Sequence, residues 1–277
     1  MSAEWLLANE GPLRLGIFLG VLGLMLLLQR RFPLRGDGRW SRRQAVNAGM
    51  VLIGTLLLRL AVPVLAVGWA LKVSERGWGL LPALGLDGLA LGVIAVLLLD
   101  LAIYWQHRLF HRIPWLWRLH RVHHSDTAFD TTTGVRFHPL ELLLSLVIKL
   151  VVIALLGAPG LAVLVFEILL SSGALFTHAD FALPQRLDRR LRWLFVTPSM
   201  HRVHHSPHRH ETDSNYGFHL SLWDRLFRSY RAAPAEPESR MTIGLADWRS
   251  TGEQRLFALL RQPLQRPART TPEDHDA

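Results

Sequence analysis

The chain contains no cysteine. That excludes disulfide bridges, thiolate-held iron–sulfur clusters and thiolate zinc sites, and leaves histidine and carboxylate as the side chains able to hold a metal. Acidic residues are scarce beside basic ones, 22 against 31, so the net charge is +9. Such a charge can mark a nucleic-acid binder, but these arginines gather at the ends of apolar runs. There they meet acidic lipid headgroups and set topology, so no nucleic-acid partner is expected.

What the sequence has in quantity is apolar side chain, 50% of 277 residues, with a mean hydropathy of +0.21. The apolar residues cluster. Leu13 to Gln29 carries only Arg14, Val46 to Leu71 only Arg59, and Leu84 to Trp105 only Asp87 and Asp100. A hydrocarbon core of about 30 Å takes about 20 residues, so each run is a candidate span. Two shorter runs, Leu142 to Leu156 and Leu161 to Phe176, are joined by Gly157-Ala158-Pro159-Gly160 and read as a helical hairpin. At about 1.5 Å per residue its arms fall short of a full bilayer, so it either re-enters or crosses where the bilayer thins; crossing is the favoured reading. Lys149 and Glu167 stand at similar distances from that turn and are expected to pair or to snorkel and face protein separately.

The first run follows Glu4 and Glu10 and precedes the basic cluster Arg30, Arg31, Arg35, Arg39, Arg42 and Arg43, which is the pattern of an anchor rather than a cleaved leader. By the positive-inside rule the basic loop is cytoplasmic. Residues 106 to 141 and everything after Thr177 then fall on the same side. The expected fold is all-α: a multi-pass transmembrane helical bundle with a cytoplasmic helical cap, in a bacterial inner membrane. Residues 1–94 are expected to hold the first transmembrane helices, and 231–277 to form a polar tail, disordered at its end, with a short amphipathic stretch at Leu256 to Leu260. Residues 182–196 alternate basic and apolar positions and are expected to lie along the membrane surface.

Thirteen of the fourteen histidines lie between His107 and His219, most of them in patterned groups. His107 and His111 are four apart and share one helical face, with Asp100 and Tyr104 extending that face into the membrane. Such a carboxylate and phenol are placed to orient ligand imidazoles. His120, His123 and His124 stand at i, i+3 and i+4, and the same HRVHH pattern returns as His201, His204 and His205. A headgroup-binding surface would call for Lys or Arg and has no use for identical histidine spacing, so these boxes read as metal ligands. Eight imidazoles exceed what one ion accepts, which implies two metals or a mixture of ligands and supporting groups. His178, immediately after the hairpin, is a further candidate ligand, and His138 a candidate supporting or structural residue. His208, His210, His219 and His275 read as solvated or hydrogen-bonded groups. Asn215, Tyr216, Trp223 and Asp224 are expected to pack the cap, and Trp105, Trp115 and Trp117 to sit at headgroup level. Imidazole alone does not choose among zinc, copper, iron and nickel.

The order HRLFH (107–111), HRVHH (120–124), a hydrophobic hairpin, HRVHH (201–205) and SNYGFHLSLWDRLF (214–227) resembles the fatty acid hydroxylase/sterol desaturase superfamily over about residues 95–230. The resemblance implies an integral membrane oxygenase with two non-haem iron ions, replaceable by zinc on purification, that hydroxylates or desaturates a lipid C–H bond with O2. It also implies that the eight box histidines and His178 are ligands, that 95–230 is the catalytic domain, and that electrons come from a separate ferredoxin- or cytochrome b5-like donor. One departure stands out: the family usually continues WDRLF with Gly-Thr, and here Arg228-Ser229 follows. Two other classes stay open. A membrane zinc hydrolase would need a carboxylate base, for which Asp126, Glu211 and Asp213 are nearby candidates. A non-enzymatic haem or metal carrier would use histidine pairs from neighbouring helices.

Overall fold

A computed structural model of the chain describes residues 2–36, 40–62 and 65–266. Among the described residues all regular structure is helical apart from two isolated β-bridges, Pro33 with Phe181 and Phe195 with Leu220. A short helix α1 (Ala3–Ala8) leads into α2 (Glu10–Arg31). Helix α3 (Arg42–Ala61) opens on a capping box in which Ser41 and Gln44 satisfy each other's backbone donors. It ends at Val62, whose extended φ of −126° and ψ of 103° is the conformation imposed on a residue that precedes proline.

The second apolar run is therefore not one continuous helix. Its remainder forms α4 (Ala66–Glu75), which folds back into the core with Ala66, Val67, Ala70 and Val73 buried; Pro63 and Val64 lie outside the described residues. After α5 (Leu80–Ala83), the long α6 (Gly88–Arg112) carries the chain to the histidine region, and Pro114 at the first turn opens α7 (Pro114–His124). The hairpin is α8 (Pro139–Leu156) and α9 (Gly160–Thr177), each arm two or three residues longer than the apolar runs alone indicate. Its turn needs glycine: Gly157 adopts φ +70°, and a Cβ there would meet the Trp78 carbonyl oxygen at 2.5 Å.

Four helices, α2, α6, α8 and α9, and the run beginning at α3 are long and apolar enough to cross a membrane. Helix α9 is the axis of the bundle. Half of its most apolar stretch is buried, against 6% for α2, and the buried side chains of α4, α6, α8 and α9 share one cluster around Leu99, Ile153, Val163 and Phe166.

Lys149 and Glu167 do pair across the hairpin, and Arg14 of α2 adds a second cation on the other carboxylate oxygen at 2.6 Å. One acid thus ties three helices together. Replacing it with the isostere, Glu167→Gln, strands two cations in an apolar setting and is expected to cost roughly 3–5 kcal/mol. Denaturant unfolding in detergent reads this, and a loss under about 1 kcal/mol would mean that both cations reach water unaided.

The remaining helices are short: α10 (Gln185–Leu191), α11 (Pro198–His204), α12 (Arg209–Thr212), α13 (Leu222–Leu226) and α14 (Leu256–Arg261). Residues 182–196 expose Leu187, Trp193, Leu194 and Phe195 beside Arg186, Arg189 and Arg190.

The segment from 232 to 266 departs from the expected polar tail. It folds over the histidine boxes, with Met241, Ile243, Trp248, Leu259 and Gln262 buried. Leu259 packs with Met50 and Val122. The arginines of both HRVHH boxes hold it in place. Arg121 donates to the carbonyls of Gln262 and Gln265 and lies over the Trp248 ring, and Arg202 pairs with Glu238. Arg35 donates to the Glu238 and Met241 carbonyls. These box arginines are buried rather than turned to headgroups. Residues 267–277, with His275, lie outside the described residues, as does Arg39 of the basic cluster.

Candidate metal centre

Four elements converge on one buried point. Helix α6 supplies His107 and His111, α7 supplies His120, His123 and His124, the residue closing α9 is His178, and α11 with its closing residue supplies His201, His204 and His205. The rings sort into two groups whose ligand atoms lie within 4.8 Å of one another: His107, His111, His120, His124 and His204 in one, and His123, His178, His201 and His205 in the other.

The two HRVHH boxes divide reciprocally. Box 120–124 gives its i and i+4 rings to the first group and its i+3 ring to the second, and box 201–205 does the reverse. Neighbouring positions on a helix point about 100° apart, so one short helix can serve both groups.

Hydrogen bonds at Nδ1 set the chemistry. His107 Nδ1 bonds the Tyr216 carbonyl at 2.7 Å, His204 Nδ1 the Ser214 carbonyl at 2.6 Å, and His178 Nδ1 the Ala174 carbonyl at 2.8 Å. A carbonyl only accepts, so each Nδ1 carries the proton and each Nε2 is a bare lone pair. Yet His107 Nε2 and His204 Nε2 stand 3.0 Å apart, and His178 Nε2 has the Nε2 atoms of His201, His123 and His205 at 3.0, 3.1 and 3.2 Å. Two lone pairs facing each other at 3.0 Å repel unless a cation lies between them. The Nε2 atoms of His111, His120 and His124 are likewise buried without a protein partner. A donor set of convergent neutral imidazoles fits metal ions, and nine rings in two groups fit two of them.

Burial keeps the rings neutral. It pushes His120 down to about 3 and His178 to about 4, and it lowers His123, His124, His201, His204 and His205 well below the usual histidine range, with neighbouring imidazoles adding to the effect.

The residues that orient the rings are not the ones expected. Asp100 bonds His219 Nδ1 at 2.7 Å and Trp223 Nε1 at 2.8 Å, and Tyr104 bonds Ser229 at 2.8 Å; neither bonds His107 or His111. His138 caps α8 through Leu140 N and reaches the Leu260 carbonyl, away from both groups. The supports are Glu141, which shares a hydrogen bond with His120 Nδ1 at 2.6 Å, and the carbonyls of residues 174, 214 and 216. Glu141 had a signal, an acid in the first turn of an apolar helix. The carbonyls had none.

Asp224 shapes the loop that delivers two of those carbonyls. Fully buried, it accepts from Tyr216 N at 2.8 Å, Gly217 N at 2.9 Å and Ser229 Oγ at 2.7 Å, and burial pushes its carboxyl up to about 6. Asn215 locks the same loop through the Met200 and Arg231 carbonyls. Gly134 plays a similar part at His178, because a Cβ there would meet the Ala174 carbonyl at 2.4 Å. Where the superfamily the chain resembles usually has Gly-Thr, Arg228 adopts a left-handed backbone, φ +57°, and Ser229 supplies a hydroxyl to Asp224. Arg228→Gly is therefore expected to raise stability by about 1 kcal/mol, read as a higher Tm. A lower Tm would mean that the arginine side chain contributes more than its backbone costs.

Aromatic rings close the centre to water. Phe137 stacks on His123 at 4.4 Å, Phe129 on His178 at 5.5 Å, and Phe218 meets His107 edge-on at 5.2 Å. Of the expected headgroup-level tryptophans, Trp105 and Trp115 are exposed, while Trp117 packs on His111 and His124. Beside the centre lies an apolar cavity of about 400 Å³ between α2, α6 and α9, walled by Val21, Val96, Leu97, Phe166 and Leu169. It reaches Thr177, next to His178, and Phe218, next to His107.

The carboxylates that a hydrolase could use are engaged elsewhere. Asp126 is held by Arg43, Asn47 and Thr133, and Glu211 accepts from Ala235 N. Asp213 contacts Tyr216 Oη and approaches His111 Nδ1, on the side away from Nε2. Rings packed 4.3 to 5.1 Å apart, as His178 and His201 or His107 and His111 are, leave no slot for a porphyrin.

Comparison with known proteins gives a matching picture. The family model described as fatty acid hydroxylase matches residues 92–229. Ornithine lipid hydroxylase OlsE of Rhizobium tropici is 31% identical over 180 residues, covering 64% of this chain and 51% of that protein. Cholesterol 25-hydroxylase of Rattus norvegicus is 27% identical over 243 residues, 86% of this chain and 78% of that protein. Alkylglycerol monooxygenase of Homo sapiens is 30% identical over 138 residues, 50% of this chain and 30% of that protein. The chain thus spans about half of the ornithine lipid hydroxylase and less than a third of the alkylglycerol monooxygenase. No solved structure matches it at a significant level.

Proposed function

The chain belongs to the fatty acid hydroxylase/sterol desaturase superfamily, and from that premise we propose that it is a membrane oxidoreductase that hydroxylates or desaturates a lipid C–H bond, with two iron ions, O2 and electrons from a separate ferredoxin- or cytochrome b5-like donor. The observation that carries this reading is the pair of histidine groups, with Nδ1–H bonds to carbonyls leaving Nε2 lone pairs turned inward, beside an apolar cavity. An unactivated C–H bond yields to no acid or base, and iron held by these nine imidazoles would supply the redox chemistry the step needs.

The chain's own residues do the rest. The Ser214, Tyr216 and Ala174 carbonyls and Glu141 fix tautomer and ring direction, so that metal affinity does not depend on chance rotamers. Phe129, Phe137 and Phe218 keep bulk water from the rings. The cavity takes an apolar chain from between α2, α6 and α9 and presents it beside His107 and His178. The hydrolase and haem-carrier readings have no comparable support, since Asp126 and Glu211 are held by other residues, Glu141 and Asp213 lie on the Nδ1 side of the rings away from Nε2, and the close-packed rings leave no slot for a porphyrin. The proposed orientation, with the centre facing the cytoplasm of a bacterial inner membrane, follows from the arginines after the first span and brings soluble reductants to the centre.

The test is anaerobic metal quantification of the purified chain, followed by mass spectrometry of lipids from cells with and without it. Two irons per chain and a lipid shifted by one oxygen or two hydrogens are expected. One zinc with oxygen-independent turnover would overturn the reading.

A further inference from the structure

The metal centre is roofed unevenly. Over the second group lies the C-terminal segment: Gly244 N donates to the His205 carbonyl, and Met241 and Ile243 pack on Phe129, the ring stacked on His178. The first group comes to the surface at His111. That residue alone of the nine is only half-buried, and its ring is covered from outside by Trp117, Tyr216 and Asp213. Trp117 stands 5.0 Å from the His111 ring, Tyr216 stands 5.2 Å from it, and the Asp213 carboxylate lies 3.6 Å from Nδ1. Trp117 is itself half-buried, and it also meets His124 at 5.4 Å and His120 at 6.3 Å. One indole thus joins the protein surface to three ligands of one group.

The rim of this cover is basic. Arg112 faces the Tyr216 hydroxyl, Arg209 is 82% exposed and reaches Asp213 at 3.5 Å, and Arg118 follows Trp117 on α7. Arg112 and Arg118 are exposed, and among the described residues neither has an ion pair. Arg112 closes the spanning helix α6, so the rim lies at the end of the span. The lipid cavity meets the centre lower, at Phe218 beside His107, one turn back along α6. A headgroup layer would engage the arginines but has no use for an aromatic ring wedged between them and three ligands. Electron transfer does, because it falls steeply with distance.

We propose that the surface around Trp117, rimmed by Arg112, Arg118 and Arg209, docks an acidic protein that carries one electron, and that the electron enters the centre there. Each encounter oxidises the carrier by one electron and reduces one ion of the first group by one. Two encounters supply the pair that the proposed oxidation consumes. The net charge of +9 acts in the same direction, drawing an acidic partner towards the chain. The proposal rests on the reading of the centre as oxidative.

The test is binding of two oxidised carriers, the soluble domain of cytochrome b5 and a plant-type two-iron, two-sulfur ferredoxin, to the metal-free full chain in phosphatidylcholine nanodiscs. Binding is measured in low and in high salt as excess over empty nanodiscs. At least one carrier is expected to bind, more weakly in high salt. The double substitution Arg112→Glu, Arg118→Glu should weaken that binding by at least about tenfold, whereas Arg186→Glu, Arg190→Glu on α10, which removes as much charge, should change it by less than about twofold. Trp117→Leu is the second arm. With iron loaded and oxygen absent, reduction by the carrier should slow severalfold, Trp117→Phe should recover most of the rate, and dithionite, which needs no docking, should reduce every variant alike. Binding of neither carrier, equal weakening by the rim and α10 substitutions, or unchanged reduction in Trp117→Leu overturns the proposal. A rim substitution that changes only how much acidic phospholipid the chain retains would overturn it too, by assigning the surface to headgroups. Docking is read without metal, oxygen or lipid substrate, so the two readings fail separately. A carrier held at the rim with no oxidised lipid would sink the oxidation reading alone, whereas oxidised lipid formed at full rate by the rim variant would sink this one alone.

Discussion

On the proposed two-metal reading, the chain carrying His178→Ala is expected to bind one metal ion against two for the unaltered chain, and to lose the proposed lipid oxidation by at least about a hundredfold, since even a partner that merely orients a ligand is worth 10- to 100-fold in metal affinity. His178 stands at the middle of its group: the other three Nε2 atoms approach its own to 3.0, 3.1 and 3.2 Å. Removing it leaves three imidazoles and a gap at their centre. His111→Ala makes the contrast, because its group holds five rings and keeps four. Its Nδ1 has only a distant carboxylate, 3.6 Å away, so little orienting energy is lost with it. That variant should retain both ions and lose affinity by less than about tenfold. Metal quantification after dialysis against a weak chelator, with oxidised lipid measured in parallel, reads both. Equal metal loss in the two variants would show that the nine rings do not act as a five and a four.

The gathering of these rings was readable because each box is local. Spacings of three and four on a helix put side chains on one face wherever the helix goes, so the sequence alone assigns His107 with His111, and His120 with His124. Their partition was not readable. His123 and His124 are adjacent in sequence and belong to different groups, because the direction each faces depends on where α11 and the end of α9 arrive, and no local pattern specifies that. The same reason moved the supports. Asp100 and Tyr104 do lie one and two turns below His107 and His111, but the Nδ1 of His107 turns to a carbonyl 109 positions away. Backbone groups leave no trace in side-chain periodicity. Composition misled at 232–266, where many Pro, Glu and Arg residues read as a polar tail. The segment is held by Arg35, Arg121 and Arg202 donating to its carbonyls and to Glu238, contacts that any composition could offer. The second apolar run misled in the opposite way: its hydropathy continues past Val62, while the helix ends at Ala61 and Val62 takes the extended backbone that a following proline imposes.

Acidifying the metal-stripped chain from pH 7 to pH 5 is expected to destabilise it sharply. Burial holds His120 at about 3 and His178 at about 4 in the folded chain, whereas in the unfolded chain both titrate near 6.5. Between those values the unfolded chain binds protons that the folded one refuses, so stability is complete above about 6.5 and falls as pH drops towards the folded values. At pH 5 each ring has given up about 1.5 pH units at about 1.4 kcal/mol per unit, and the two together remove roughly 4 kcal/mol. That is a large share of the 5–15 kcal/mol typical of a folded domain. His123, His124, His201, His204 and His205 shift in the same direction, and their loss outweighs the opposing gain from the buried Glu141 and Asp224 carboxyls, raised to about 8 and about 6, which take up protons in the folded chain first. The loaded chain should resist the same change, because a ligand that binds only the folded, neutral cluster adds stability that protons must first displace. Thermal unfolding in detergent at pH 7, 6 and 5, with and without chelator, separates the two curves. A chelated chain whose Tm stays flat across that range would mean that the cluster opens and takes up protons while folded, and that the carbonyl bonds at Nδ1 do not hold the rings closed without metal.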